Sequence, residues 1–109
     1  MNSGKYKSTS RETDKNTWEG VFHFPPDDGI YREHFPGYPV VPGSLIVHAF
    51  LKAVEEAGLG GECLTMENFR FREFLIPGHY PFRIERKEGL LNCCIQRGGR
   101  KLVTGVLKR

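Results

Sequence analysis

"HFPGYPVVPGSLIVHAF", residues 34–50, decides how the rest of the chain is read. Its first ten residues hold Pro36, Gly37, Pro39, Pro42 and Gly43, and from Leu45 onward it is almost wholly apolar. The three prolines fix three φ angles, so the segment loses little freedom when it orders. From Ser44 to Ala57, "SLIVHAFLKAVEEA", the apolar spacing predicts a helix, stopped by Gly58 and the Gly60-Gly61 pair. Leu45, Ile46, Val47, Ala49, Phe50, Leu51, Ala53 and Val54 surround that helix on nearly all sides. A helix so apolar must be covered on more than one side.

The sequence on either side supplies the cover. Upstream, "TWEGVFHF" (residues 17–24) reads as a strand ended by Pro25-Pro26-Asp27-Asp28-Gly29. Downstream, "ENFRFREF" alternates Phe69 and Phe71 with Arg70 and Arg72 until Pro77-Gly78 turns the chain. Phe82 and Ile84 then alternate with Arg83 and Glu85, and a Lys87-Glu88-Gly89 turn follows. Residues 90–96 and 101–107 form a further pair of strands around the hairpin signal Gly98-Gly99. The order is strand, loop, buried helix, then three or four antiparallel strands. An α+β fold in which one long sheet curls around one helix satisfies it. Residues 1–16, with almost no apolar content, are expected to be a flexible polar tail preceding a single domain over 17–109.

Composition narrows the function classes. The 109 residues suit one domain with a thin core, which a second copy would help to cover. The composition is that of a globular protein, 39% hydrophobic and 27% charged. No apolar run reaches the roughly 20 residues of a membrane span, and the N-terminus lacks a signal-peptide core. Three cysteines, an odd number, argue against a disulfide framework and for a cytoplasmic protein with reduced thiols. The net charge of +3 suits an acidic partner, but no nucleic-acid-binding signature accompanies it. Nor does any CxxC, HxH or HExxH spacing suggest a metal site.

The stiff loop and the helix start are where chemistry is expected. His34 opens the loop, and Gly43 and Ser44 stand where backbone N–H groups have no intrahelical acceptor. Those donors, at the positive end of the helix dipole, suit a carbonyl oxygen that gains charge. A proline-rich connection carrying a surface histidine is the plain alternative. His23 on a strand and His79 in a turn are read as surface or structural residues. Tyr31 and Tyr38 either line a substrate entrance or pad the loop.

"HFPGYPVVPGSL" closely resembles the signature of the hot-dog fold 3-hydroxyacyl-[acyl-carrier-protein] dehydratases, and "ENFRFREFLIPG" is similar to a later strand of that family. The resemblance runs from about Trp18 to the C-terminus, without the N-terminal helix and strand region common in the family, so a shortened member is expected. It implies that His34 is the catalytic base and that the Gly43 and Ser44 amides bind the thioester carbonyl. His48 falls where the family carries an acidic residue, and Lys52 where glutamine is common. His48 serves as the acid only as imidazolium, and a core position satisfied by one backbone hydrogen bond is the structural alternative. The implied reaction is dehydration of a 3-hydroxyacyl thioester to a trans-2-enoyl thioester, with no bound cofactor or metal. The substrate would ride on the phosphopantetheine of acyl carrier protein or coenzyme A, the acidic carrier suiting this basic chain. A homodimer is implied, with His34 of one subunit meeting position 48 of the other, and a heteromer with a homologue is the variant. Two other activities fit the fold: a hot-dog thioesterase, for which only Glu55 and Glu56 offer helix carboxylates, and a non-catalytic subunit that binds acyl carriers.

Overall fold

The structure is a computed structural model, described here for residues 7–14, 16–25, 40–59 and 64–108. It contains strands β1 (Lys7–Asp14) and β2 (Thr17–Phe24), helix α1 (Gly43–Glu56), and strands β3 (Thr65–Phe71), β4 (Gly78–Lys87), β5 (Leu90–Arg97) and β6 (Arg100–Lys108). All six strands form one antiparallel sheet in the order β1-β2-β4-β5-β6-β3. The sheet packs around α1, which is the hot-dog layout expected from the sequence.

Strict alternation builds the inner face. Tyr80, Phe82 and Ile84 of β4, with Leu91, Cys93 and Ile95 of β5, are buried, while the residues between them face outward. Register carries the pattern across the sheet, because Trp18 lies opposite Ile84 and Phe22 opposite Tyr80. From the helix, Leu45, Ile46, Ala49, Phe50, Ala53 and Val54 fill the concavity. At its centre Phe22 stacks on Phe82 with ring centroids 4.0 Å apart, and Phe50 meets Phe22 edge-on at 5.0 Å. Ser44, His48, Lys52, Glu55 and Glu56 lie exposed, and Val47 and Leu51 half-buried. The helix is therefore covered on fewer sides than its composition suggests.

Two turns behave as their residues demand. Gly98 and Gly99 both adopt positive φ, 59° and 80°, between β5 and β6. The β3 strand is less regular. Its pairing with β6 shifts between Glu67 and Arg70, and Asn68 there takes φ 54°. This bulge seats Phe69 over Gly105, where any Cβ would overlap the ring.

The expectation of a flexible tail over 1–16 fails for residues 7–14, which form β1. They pair with β2 from Lys7 opposite His23 to Asp14 opposite Thr17. The physical reason is that an edge strand can be held by its backbone ladder alone. Polar side chains then leave no periodic signal in the sequence. The folded unit thus begins before residue 17.

Candidate active site

The start of α1 is held in place from two directions. Val40 and Val41 are buried, and the Val41 N–H donates to the Leu75 carbonyl at 2.7 Å. That bond ties the loop before the helix to the segment between β3 and β4. The same segment is fastened by Tyr80, whose hydroxyl donates to the Ile76 carbonyl at 2.6 Å, while the Arg97 guanidinium lies 4.2 Å above the Tyr80 ring.

Pro42 caps the helix with φ −61° and ψ 143°, and no side chain supplies a capping hydrogen bond. Proline has no N–H of its own, so the turn opens on its carbonyl, which accepts from Leu45 at 3.0 Å and from Ile46 at 3.2 Å. The Gly43 and Ser44 amides precede these donors and have no intrahelical acceptor. No acidic residue occupies the first turn. The positive end of the dipole is thus not neutralised from within the helix. What the arrangement offers is two N–H donors and a favourable field for an oxygen bearing negative charge.

The surroundings are apolar. The Phe71 ring covers Gly43, its Cζ 3.2 Å from where a Cβ would stand. Leu75 is buried beside the loop, while its neighbours Phe74 and Ile76 are 82% and 61% exposed. Sequence reading did not single out Phe71 or the Leu75 carbonyl as part of the site. Both act across some 30 residues of chain, and no local spacing announces such contacts.

His34, Tyr31 and Tyr38 lie outside the described residues, so of the four expected site residues the structure describes Gly43, Ser44 and His48. His48 is exposed, one helical turn beyond Ser44 on the same face, and so is not a core histidine. Lys52 continues that face and pairs with Glu55 at 3.0 Å. Glu55 and Glu56 stand about 18 Å along the axis from Gly43, at 1.5 Å per residue. His23 and His79 are not on this helix but on strands β2 and β4. They are cross-strand neighbours on the outer face of the sheet, with rings 4.0 Å apart.

Known proteins share this fold. The "3-hydroxyacyl-[acyl-carrier-protein] dehydratase FabZ" of Acidiphilium cryptum is 30% identical over 69 residues, 54% of this chain and 42% of that enzyme. The FabZ of Wolbachia pipientis wMel is 36% identical over 60 residues, 48% of this chain and 42% of that enzyme. The matched part is therefore less than half the length of these curated relatives. Among solved structures, a chain of the dehydratase heterocomplex ApeI:P from Xenorhabdus doucetiae superposes with a TM-score of 0.81 at 19% identity, covering 95% of this chain and 96% of that one. An uncharacterized protein from Erwinia carotovora subsp. atroseptica superposes with a TM-score of 0.72 at 20% identity, covering 95% and 94%. At these identities the superpositions establish the fold. The model of the ApeI-like family, described as ApeI dehydratase, matches residues 10–88, which run from within β1 to the end of β4. On that match, the chain belongs to the ApeI-like dehydratase family.

Proposed function

We propose that the protein dehydrates a 3-hydroxyacyl thioester to the trans-2-enoyl thioester at the start of α1. The observation that carries this reading is the pair of Gly43 and Ser44 amides beyond a proline cap, with no acidic side chain in the first turn. His34, in neutral form, takes the proton from the carbon next to the thioester carbonyl. The electron pair left behind moves toward the carbonyl oxygen, where the two amides and the helix dipole stabilise it. It then returns to form the carbon–carbon double bond as the 3-hydroxyl leaves as water. The proton for that water comes from His48 as imidazolium, whose exposed position leaves it accessible to a substrate or a partner subunit. The acyl chain is carried on phosphopantetheine.

Hydrolysis of the thioester is less well supported. Glu55 is paired with Lys52, and both helix carboxylates are remote from the amides. A second reading is favoured by one finding: the chain from Xenorhabdus doucetiae with the same fold comes from a dehydratase heterocomplex. In that reading the protein is one subunit of a two-chain dehydratase, and the residue acting as acid comes from a homologous partner.

The test is incubation with 3-hydroxyacyl thioesters of carrier protein and of coenzyme A, following the loss of one water by mass spectrometry. His34→Ala is expected to lower turnover by about 10²–10⁴-fold, the usual contribution of a general base. An equal loss in His48→Ala assigns the acid to this chain. Full turnover in His48→Ala assigns it elsewhere. Turnover that appears only with a homologous partner present supports the two-chain reading, and release of free thiol would replace dehydration by hydrolysis.

A further inference from the structure

The face of the sheet turned away from α1 carries a second concavity, of about 590 Å³, spanning β4, β5, β6 and β3. Its flanks are cationic. Arg83 rises from β4, Arg70 from β3 and Arg72 from just beyond its end, and Lys101 from β6 between them. The floor is neutral and largely polar, made by Asn92, Gln96 and Thr104 with the half-buried Cys94 and Val106 beside them. One carboxylate, that of Glu85, shares the lining, so cations outnumber anions four to one. Among the described residues Arg70, Arg72 and Lys101 have no ion-pair partner, and Arg83 has a long one, its Nε lying 3.8 Å from the Glu19 carboxylate.

Gathering like charges has an electrostatic cost that an anion removes. The backbone shows how the gathering is achieved. The β3 bulge, with Asn68 at positive φ, sends Phe69 inward against Gly105 and sets Arg70 opposite Thr104 on the outer face. Asn68 itself joins the lining. Bulges of this kind redirect side chains and recur beside functional sites. The volume lies within the range of small-ligand sites, and a polar floor without large apolar side chains suits a hydrated anion rather than an acyl chain.

We infer that this outer-face groove is an anion site for a small ligand carrying two or more phosphate-type charges. Guanidinium groups from both flanks and the Lys101 ammonium hold its oxygens, and the Asn92 and Gln96 amides donate from below. It lies across the sheet from the start of α1, so it does not depend on the dehydratase reading.

The experiment titrates the full-length protein with pyrophosphate at low ionic strength, by calorimetry and by amide NMR. One ion is expected to bind per chain, shifting the side-chain amide signals of Asn92 and Gln96. Arg70→Gln and Arg83→Gln are each expected to weaken binding at least about tenfold, since each removes a charge-assisted hydrogen bond. Lys52→Gln, which removes the same charge from the opposite side of the sheet, is expected to leave binding unchanged within about twofold. Equal weakening by all three variants reduces the effect to net charge and overturns the site. Binding that ignores both arginines places the ion elsewhere, such as the helix start, and also overturns it. So does a lack of pyrophosphate binding, including the case in which an acyl carrier protein binds in an arginine-dependent way.

Discussion

Two glycines set the limits of what single residues can do here. At Gly105 a Cβ would overlap the Phe69 ring, which is pinned by the β3 bulge and packs near Phe50 with ring centroids 6.1 Å apart. Gly105→Ala is therefore expected to cost about 1–3 kcal/mol, the range for forcing extra volume into packed positions. Urea unfolding checks this, and a double variant with Phe69→Leu should recover part of the loss, because the two positions share one contact. Gly43 is the opposite case. The Phe71 ring near its Cβ position is 44% exposed and has room to move, so Gly43→Ala is expected to leave the melting temperature nearly unchanged. A methyl group there nonetheless crowds the Phe71 ring beside the two amides that the proposed mechanism uses. Turnover of a 3-hydroxyacyl thioester is expected to fall about tenfold or more, less than the roughly 10²–10³-fold that follows outright removal of an oxyanion donor. A stable, fully active Gly43→Ala variant would remove the helix start from the mechanism.

At the scale of elements, the two sheet edges differ. The β1 edge carries no apolar residue in its sequence, whereas β3 and the segment after it expose Met66, Phe71, Phe74 and Ile76. An edge strand with unpaired backbone groups and an apolar flank is a template for another chain. We propose that β3 is the edge at which a second copy or a homologue pairs. Phe74→Asp with Ile76→Asp should reduce the solution mass, measured by light scattering, to that of one chain, while the helical circular dichroism is retained. A parent mass of two chains that the variant leaves unchanged would place the contact on another surface, and a parent mass of one chain would remove the self-pairing. These edges also mark where sequence reading stops. Helix α1 and the β5–β6 hairpin were legible because burial imposes a period and Gly98-Gly99 allows only a few backbone shapes. The β1 strand was not legible, since its ladder uses only backbone groups. The bulge in β3 escaped as well, because Phe69, Arg70 and Phe71 alternate whether or not an extra residue precedes them. The candidate site divides in the same way. Its helix start could be read from Pro42-Gly43-Ser44, but the Leu75 carbonyl and the Phe71 ring that frame it arrive from another element.

For the molecule as a whole, the consequence that can be measured most directly lies in the buried thiol of Cys93. It sits on the inner face of β5, 2% exposed, and its Sγ contacts the Leu91 carbonyl at 3.7 Å. Burial first, and the neighbouring Cys94 second, push its ionisation far above the ordinary thiol range. Burial also raises Cys94, partly offset by Lys101 and Arg83, and raises Tyr80. The sign follows from proton counting. Above about pH 8.5 an unfolded chain releases the Cys93 proton while the folded chain keeps it. The unfolded state then binds fewer protons, so stability falls as pH rises. The stabilising contribution is complete below the unfolded thiol range and is lost progressively above it, with Tyr80 adding to the slope only above about pH 10. Urea unfolding between pH 7 and 10.5 should therefore show a flat region followed by a decline approaching about 1.4 kcal/mol per pH unit for a single fully buried group. Cys93→Ala lowers stability by a roughly constant amount through its cavity, so the diagnostic quantity is the slope. That slope should flatten between pH 9 and 10 in the variant. A Cys93→Ala protein that declines as steeply as the parent would assign the alkaline loss to other groups, and the packing of β5 against α1 would then carry no proton linkage.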